Sequence, residues 1–452
     1  MKYLRNIFTF CLMAVTLMAS AQSFETAAEA VSNMRVGWNL GNTLDSHSGD
    51  VNNMWIEAWS DRKPANYETA WGQPVTKPEL MKLMKEAGFN AIRVPVTWYP
   101  HMEANFKSVK WDSSAQKLTP WDVESDDFGT KIQAAWMKRV HEVVDYVIGQ
   151  GMYCIVNIHH DTGDGNTAWL RADMAVYEQE RVRFEEIWRQ IAEEFKDYDE
   201  HLLFEGYNEM LDSYGSWCFA SFATASNYDA TVAKSAYDAI NSYAQSFVDV
   251  VRATGGNNAQ RNLIVSTYGA CSGGSHWSTH LQDPLKQMKL PDDAASNHLI
   301  FEVHSYIDVK DLAQTKKDVD QVIDDVKTHL AAKGAPVIFG EWGTTTEKGY
   351  ENYRQNMLSF ARYFVERTKA NNMGTFYWMG LSDGDHRSVP EFNQLDLKDA
   401  IIEGYYGEEG YSSVEGIPSK KEHDTHIYDL QGRRVNAPSK GVYLHKGRKM
   451  LF

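Results

Sequence analysis

Along the chain, short runs of consecutive apolar residues alternate with longer segments whose apolar positions recur every three to four residues. The short runs centre on Val36-Gly37-Trp38, Ala91-Ile92-Arg93-Val94, Tyr153-Cys154-Ile155-Val156 and Leu202-Leu203-Phe204. Four more follow at Leu263-Ile264-Val265, Leu299-Ile300-Phe301, Pro336-Val337-Ile338-Phe339 and Thr375-Phe376-Tyr377-Trp378. Most are flat hydrophobic runs rather than apolar/polar alternations, as expected of parallel strands covered on both faces. Between them the helical period is clearest over 132–148, 177–195, 230–251, 319–330 and 350–370. A short first helix over 79–87 ends at Gly88, a residue suited to a left-handed cap. The helix expected after the fifth strand has the weakest pattern.

Eight strands alternating with helices predict an α/β fold of the (β/α)8, or TIM-barrel, class. Such a barrel needs about 250 residues, and the chain has 452, so the surplus must lie in loops. Long non-periodic stretches follow the first strand (45–73), the second (100–127), the third (161–174), the fourth (211–229) and the fifth (268–291). All are strand-to-helix connections, the face on which barrels build active sites. The opposite connections, such as 86–89 and 150–151, are tight. A doubly wound open sheet is the competing architecture, but no glycine-rich phosphate loop follows the first strand. The barrel is expected to occupy 22–408. Residues 409–452 turn basic and rich in turn residues, with β-like pieces at 427–430 and 441–444, which predicts a linker and a small β appendage.

Composition adds an address and excludes some partners. Lys2 and Arg5 precede the apolar run Ile7 to Met18 and the small-residue end Ala19-Ser20-Ala21, the parts of a secretory signal peptide over 1–21. The run is shorter than the roughly 20 residues that span a bilayer, so no membrane span is expected, and the protein is expected to be secreted or displayed at the cell surface. The formal charge is −16; loss of Lys2 and Arg5 would take it to −18. That sign repels phosphate backbones, which argues against a nucleic acid partner. With Cys11 removed, Cys154, Cys218 and Cys271 remain, too few for a disulfide framework and in no zinc spacing. A monomer is expected.

The candidate chemistry lies at strand ends. The fourth strand runs into Tyr207-Asn208-Glu209 and the seventh into Gly340-Glu341-Trp342. A carboxylate at the mouth of a buried strand costs desolvation and is seldom placed there for packing. Two of them across a cleft can cut a glycosidic bond, one protonated to assist the leaving oxygen and one ionised to attack. By contrast Glu205 and Glu302 lie within strands and are expected to be buried structural partners, Glu205 of Arg93. His304 and Tyr306, two apart, can face the same space; the tyrosine could donate to the nucleophile and the histidine to the acid. Strand alternation would send His159 and His160 to opposite sides, a poor arrangement for chelating one metal. Trp378 is the expected platform for a sugar ring, and about half of Trp38, Trp55, Trp59, Trp98, Trp169, Trp217 and Trp277 are expected to line a cleft.

In barrel order, Gly37-Trp38-Asn39-Leu40-Gly41-Asn42-Thr43-Leu44-Asp45, Arg93 in Ile92-Arg93-Val94-Pro95, His159, Asn208-Glu209, His304-x-Tyr306, Phe339-Gly340-Glu341-Trp342-Gly343 and Trp378 resemble glycoside hydrolase family 5. The resemblance implies a retaining, cellulase-like endo-β-glucanase that needs no metal or cofactor. It implies Glu209 as acid/base and Glu341 as nucleophile, supported by Arg93, His159, Asn208, His304 and Tyr306. Asn42, Asp45, His160 and Trp378 are the implied sugar-contacting positions. One departure is Met210, where the family often has proline. The implied substrate is β-1,4-glucan, followed by xyloglucan, mixed-linkage glucan and mannan. Two other classes compete. A metal-dependent barrel hydrolase would want a His-x-His pair on the first strand, and a non-catalytic glycan binder would not need both glutamates. The C-terminal stretch from Ile427-Tyr428-Asp429-Leu430 to Gly441-Val442-Tyr443-Leu444 resembles a sorting domain of the type IX secretion route.

Overall fold

The computed structural model describes residues 24–50, 53–102, 111–112, 117–118, 129–217, 228–345, 350–407, 411 and four short strands within 427–451. The expected signal peptide, Cys11 and Cys218 lie outside the described residues. Eight strands close into a parallel barrel: β1 (Gly37–Asn39), β2 (Ala91–Val94), β3 (Tyr153–Asn157), β4 (Leu202–Glu205), β5 (Leu263–Cys271), β6 (Leu299–Tyr306), β7 (Val337–Gly343) and β8 (Gly374–Tyr377). The ring is sealed where β1 pairs with both β8 (Gly37 with Phe376) and β2 (Gly37 with Ala91). Beyond it, Ile427–Tyr428, Arg434–Val435, Val442–His445 and Arg448–Leu451 form a four-stranded antiparallel sheet. Among the described residues no helix is long and apolar enough to cross a membrane.

The barrel interior is stacked in two chemically opposite layers. At the floor Ala91, Tyr153, Ile155, Leu203, Ile264, Ile300, Ile338 and Phe376 pack together with Ala27, Ala30, Val31 and Met34 of the helix Ala27–Met34. That helix, which the sequence reading omits, closes the bottom and begins in a capping box between Thr26 and Glu29. Two residues further along the strands, the same inward period brings Asn39, Arg93, Asn157, Glu205, Ser266, Glu302 and Gly340 into a buried polar layer. An apolar floor under a polar tier shields the tier from water on its lower side and leaves its chemistry facing the loops.

Several local readings need correction. The stretch after β1 holds two short helices, Trp55–Ser60 and Pro64–Thr69, and that after β2 holds a small hairpin of Trp111–Asp112 with Lys117–Leu118. Strand β5 continues to Cys271, so Tyr268 belongs to the strand rather than to the loop. Its register with β6 shifts between Ser266 and Cys271, where Gly269 and Ala270 take positive φ, and such a bulge hides a strand from a period-2 reading. The helix after β5 is only Asp283–Gln287, matching its weak pattern. A last helix, Leu395–Tyr406, packs on Arg354–Ala370 and completes the outer ring.

Candidate active site

Arg93 organises the polar tier. Its Nε and Nη2 form a fork on Glu205 at 2.6 and 2.8 Å, Nη1 donates to Asn39 and to Glu341 Oε1 at 2.9 Å each, and Nη2 also donates to Asn208 at 2.7 Å. All five guanidinium N–H groups are thus used. The side chain is fully buried, a position tolerable only with that complete set of partners. Glu205 is held from the other side by the Asn157 amide at 2.8 Å. Burial, opposed by Arg93 and reinforced by the charge of Glu302, pushes Glu205 up to about 7.

Above this tier sit the two carboxyls. Glu341 ends the inner run of β7 and takes Arg93 on one oxygen and the Tyr306 hydroxyl on the other at 2.6 Å. Glu209 lies past the end of β4, and its Oε1 is within hydrogen-bond distance of His304 Nδ1 at 2.9 Å. The side chains differ in access: Glu209 is 22 % exposed and Glu341 6 %. Burial raises Glu209 above the ordinary carboxylate range, with the His304 hydrogen bond pulling the other way. Burial alone would lower His304, but Glu341, Glu209 and Glu302 surround it and raise it to about 10. Burial and the charge of Glu341 keep the Tyr306 phenol protonated, so its hydrogen is available to Glu341. Glu341 thus takes a donor on each oxygen, while the surroundings of Glu209 favour its protonated form, a division suited to paired nucleophile and acid roles.

The other expected residues line one flank. Trp378 lies one residue past β8, half-buried, with its ring nearly parallel to that of His159 at 5.9 Å. His159 and His160 do not point apart. Strand β3 ends at Asn157, so alternation no longer applies, and the two rings meet at 4.4 Å. Burial holds both histidines well below their ordinary pKa, hence neutral. Asn42 adopts a left-handed backbone (φ 58°), and its N–H, with that of Thr43, donates to Asp45 at 3.0 and 2.6 Å. Asp45 is fully buried and is therefore the clamp of this turn, which sets the wall around His160.

Two groups of side chains are compact enough to consider for a cation. Donor atoms of Glu209, His304 and Glu341 lie within 4.8 Å of one another, and so do those of Asp45, His159 and His160. In the first the carboxyls already accept from Arg93 and Tyr306 and share a hydrogen bond with His304; in the second Asp45 accepts two backbone N–H groups and His159 Nδ1 faces the Asn157 amide at 3.0 Å. Both read as hydrogen-bonding sets rather than ligand cages.

A family model described as cellulase (glycosyl hydrolase family 5) matches residues 53–383. The chain belongs to glycosyl hydrolase family 5. Among its relatives, Endoglucanase A of Clostridium longisporum is 30% identical over 412 residues, covering 86% of this chain and 68% of the relative. A solved broad-specificity endoglucanase from an uncultured bacterium is 49% identical with a TM-score of 0.75, covering 85% of this chain and 97% of that one. A family 5 enzyme of Prevotella bryantii, solved as a variant with a xyloglucan tetradecasaccharide, is 36% identical with a TM-score of 0.68, covering 84% and 99%. This family 5 protein is a glycoside hydrolase of the endo-β-glucanase type.

Within this hydrolase the tryptophans divide by location. Trp38 and Trp98 are fully buried, and their ring N–H groups donate to the carbonyls of Met379 and Asn157; Trp169 is nearly so. These three brace loops instead of offering faces to solvent. Trp55, Trp59 and Trp277 are exposed, and Trp217 partly so. Sequence reasoning passed over Trp71 and His47: His47 stacks on His160 at 4.6 Å, and Trp71 lies 5.6 Å from His160. It also passed over Asn39 and Asn157, which fix Arg93, Glu205 and His159. Inward period-2 placement after Gly37 and Ile155 was the available signal for those two; the His47–Trp71 contact is made within one long loop and has no such signal.

Proposed function

We propose that this enzyme hydrolyses internal β-1,4 linkages of glucan by a retaining double displacement, with Glu341 as nucleophile and Glu209 as acid/base. The observation that carries the proposal is the approach of the two carboxyls, whose oxygens come within 4.8 Å. Retaining enzymes hold their carboxyls about 5–5.5 Å apart, whereas inverting ones leave about 6.5–9.5 Å for a water. In the first step Glu341 attacks the anomeric carbon as Glu209 gives its proton to the leaving oxygen. In the second, Glu209 takes a proton from water, which displaces Glu341. Arg93 and Tyr306, one on each oxygen of Glu341, orient the carboxylate for attack and receive it again when water displaces it. The greater exposure of Glu209 suits a group that must meet both leaving group and water.

The main chain of the substrate is proposed to be β-1,4-glucan, with branched xyloglucan as the second reading. The bound xyloglucan oligosaccharide of the Prevotella bryantii relative supports the latter, as do the long loops after β1, β2, β4 and β5. Export is proposed through residues 1–21, and the segment 409–452 is proposed to serve sorting to the cell surface or medium. Products should be profiled on carboxymethylcellulose, xyloglucan, mixed-linkage glucan and mannan. Cleavage of the first three into a spread of oligosaccharides, with little on mannan, is expected; a preference for mannan would overturn the substrate assignment.

A further inference from the structure

Glu302 has no place in the two-carboxyl scheme, yet it is fully buried directly behind His304. Its Oε1 lies 3.4 Å from His304 Nε2 and 3.4 Å from Arg93 Nε, while Oε2 accepts the Ser266 hydroxyl at 2.6 Å. The space it fills is reserved for it. A Cβ on the neighbouring Gly340 would fall 1.6 Å from Glu302 Oε1, so β7 must carry glycine at this level for the carboxylate to remain. His304 therefore has a carboxyl oxygen at each ring nitrogen, Glu302 at Nε2 and Glu209 at Nδ1.

We propose that Glu302 is a positioning residue that keeps His304 doubly protonated and so directs the acid proton of Glu209 to the oxygen facing the substrate. This rests on Glu209 being the acid/base. A neutral imidazole with a bare Nδ1 would accept the Glu209 proton and hold it away from the leaving group. An imidazolium can only donate. Its Nδ1–H occupies Oε1, the carboxyl proton resides on Oε2, and it passes to the glycosidic oxygen as that oxygen's bond to the anomeric carbon breaks and the bond to Glu341 forms. Around His304, Glu302 of its own strand stands at Nε2, Glu209 beyond β4 at Nδ1, Glu341 of β7 lies 3.6 Å from Nδ1, and His159 after β3 interacts with the ring. Arg93 on β2 and Ser266 on β5 reach Glu302, Tyr306 on β6 bonds Glu341, and Glu205 on β4 is paired with Arg93. Even with Glu209 protonated, Glu302 and Glu341 remain against the ring, which favours charge on the imidazole. Burial would raise Glu302, but Arg93 and His304 hold it below its ordinary value, so it stays ionised to serve them.

The test uses the full enzyme labelled with 15N-histidine. His304, assigned by comparison with a His304→Asn sample, should show two protonated nitrogens at pH 8, where ordinary histidines are neutral; one bare nitrogen there in the unmodified enzyme overturns the proposal. In Glu302→Gln, His304 should lose its second ring proton at a lower pH than in the unmodified enzyme. The same variant should lose about tenfold or more in kcat/KM on glucan, which reports the acid-assisted first step, within the range of general acid catalysis. With a 2,4-dinitrophenyl cellobioside, whose leaving group needs no proton, the defect should be at least about tenfold smaller. Equal defects on both substrates would mean that Glu302 merely holds the barrel together, and would overturn the proposal. Glu209→Ala separates the two readings. If it lacks this leaving-group dependence, the acid/base assignment itself fails; if it shows it and Glu302→Gln does not, only the role of Glu302 fails.

Discussion

Alanine at position 341 is expected to lower kcat on glucan by about 10⁴-fold or more, because the first displacement then has no nucleophile. Added azide should restore turnover of an aryl cellobioside through the emptied space and yield the α-glycosyl azide, since it attacks from the side Glu341 occupied in a single inversion. Glu209→Ala should differ in kind. Its defect in kcat/KM should be about 10²–10⁴-fold on glucan and far smaller with a good leaving group, and azide should give the β-glycosyl azide by intercepting the covalent intermediate. If either variant retains near-full activity on carboxymethylcellulose, the corresponding role is wrong. Exchange of the two azide products between the variants would reverse the assignment.

Replacing Arg93 by methionine should be the most damaging single change to the fold. It removes one cation and leaves Glu205 and Glu302 buried beside each other, with Asn39 and Asn208 also losing their donor. Breaking a buried ion pair from one side costs about 3–5 kcal/mol, readable as a fall in the urea midpoint at unchanged slope. The loss should depend on pH. In the variant the stranded carboxyls have folded-state pKa values raised above about 4.3, the unfolded value for glutamate. The native state then binds more protons than the unfolded one, so stability falls as pH rises through that window. The deficit relative to wild type should be larger at pH 8 than at pH 5. A pH-independent deficit below about 1 kcal/mol would show that water or relaxation satisfies the carboxyls.

Most of the barrel was legible because buried parallel strands announce themselves as flat apolar runs, and all eight are found close to their expected centres. The Arg93–Glu205 pair was legible for a related reason, since two charges on inward positions of a buried sheet must find each other. Where the backbone leaves the strand, the period fails. His159 and His160 were expected to point apart and instead meet, because β3 ends two residues earlier. The Asp45 turn, held by side-chain-to-backbone bonds, the His47–Trp71 ring contact and the short helices after β1 are local loop structures that no hydrophobic period encodes. The helix Ala27–Met34 was missed because eight residues supply barely two turns of pattern, although Thr26 and Glu29 spell a capping box. Glu302 was rightly placed inside a strand, but its contact with His304 depends on the empty space at Gly340, which only the assembled barrel reveals.

In the proposed double displacement the two carboxyls act from opposite faces of one sugar, with a covalent intermediate between the steps. That is read most directly by following a soluble cello-oligosaccharide or aryl cellobioside by 1H NMR during the first minutes of cleavage, before mutarotation. The newly formed reducing end should appear first as the β-anomer and drift to the equilibrium mixture. Initial release of the α-anomer would mean a single inverting displacement and would contradict the assignment of Glu341 as nucleophile.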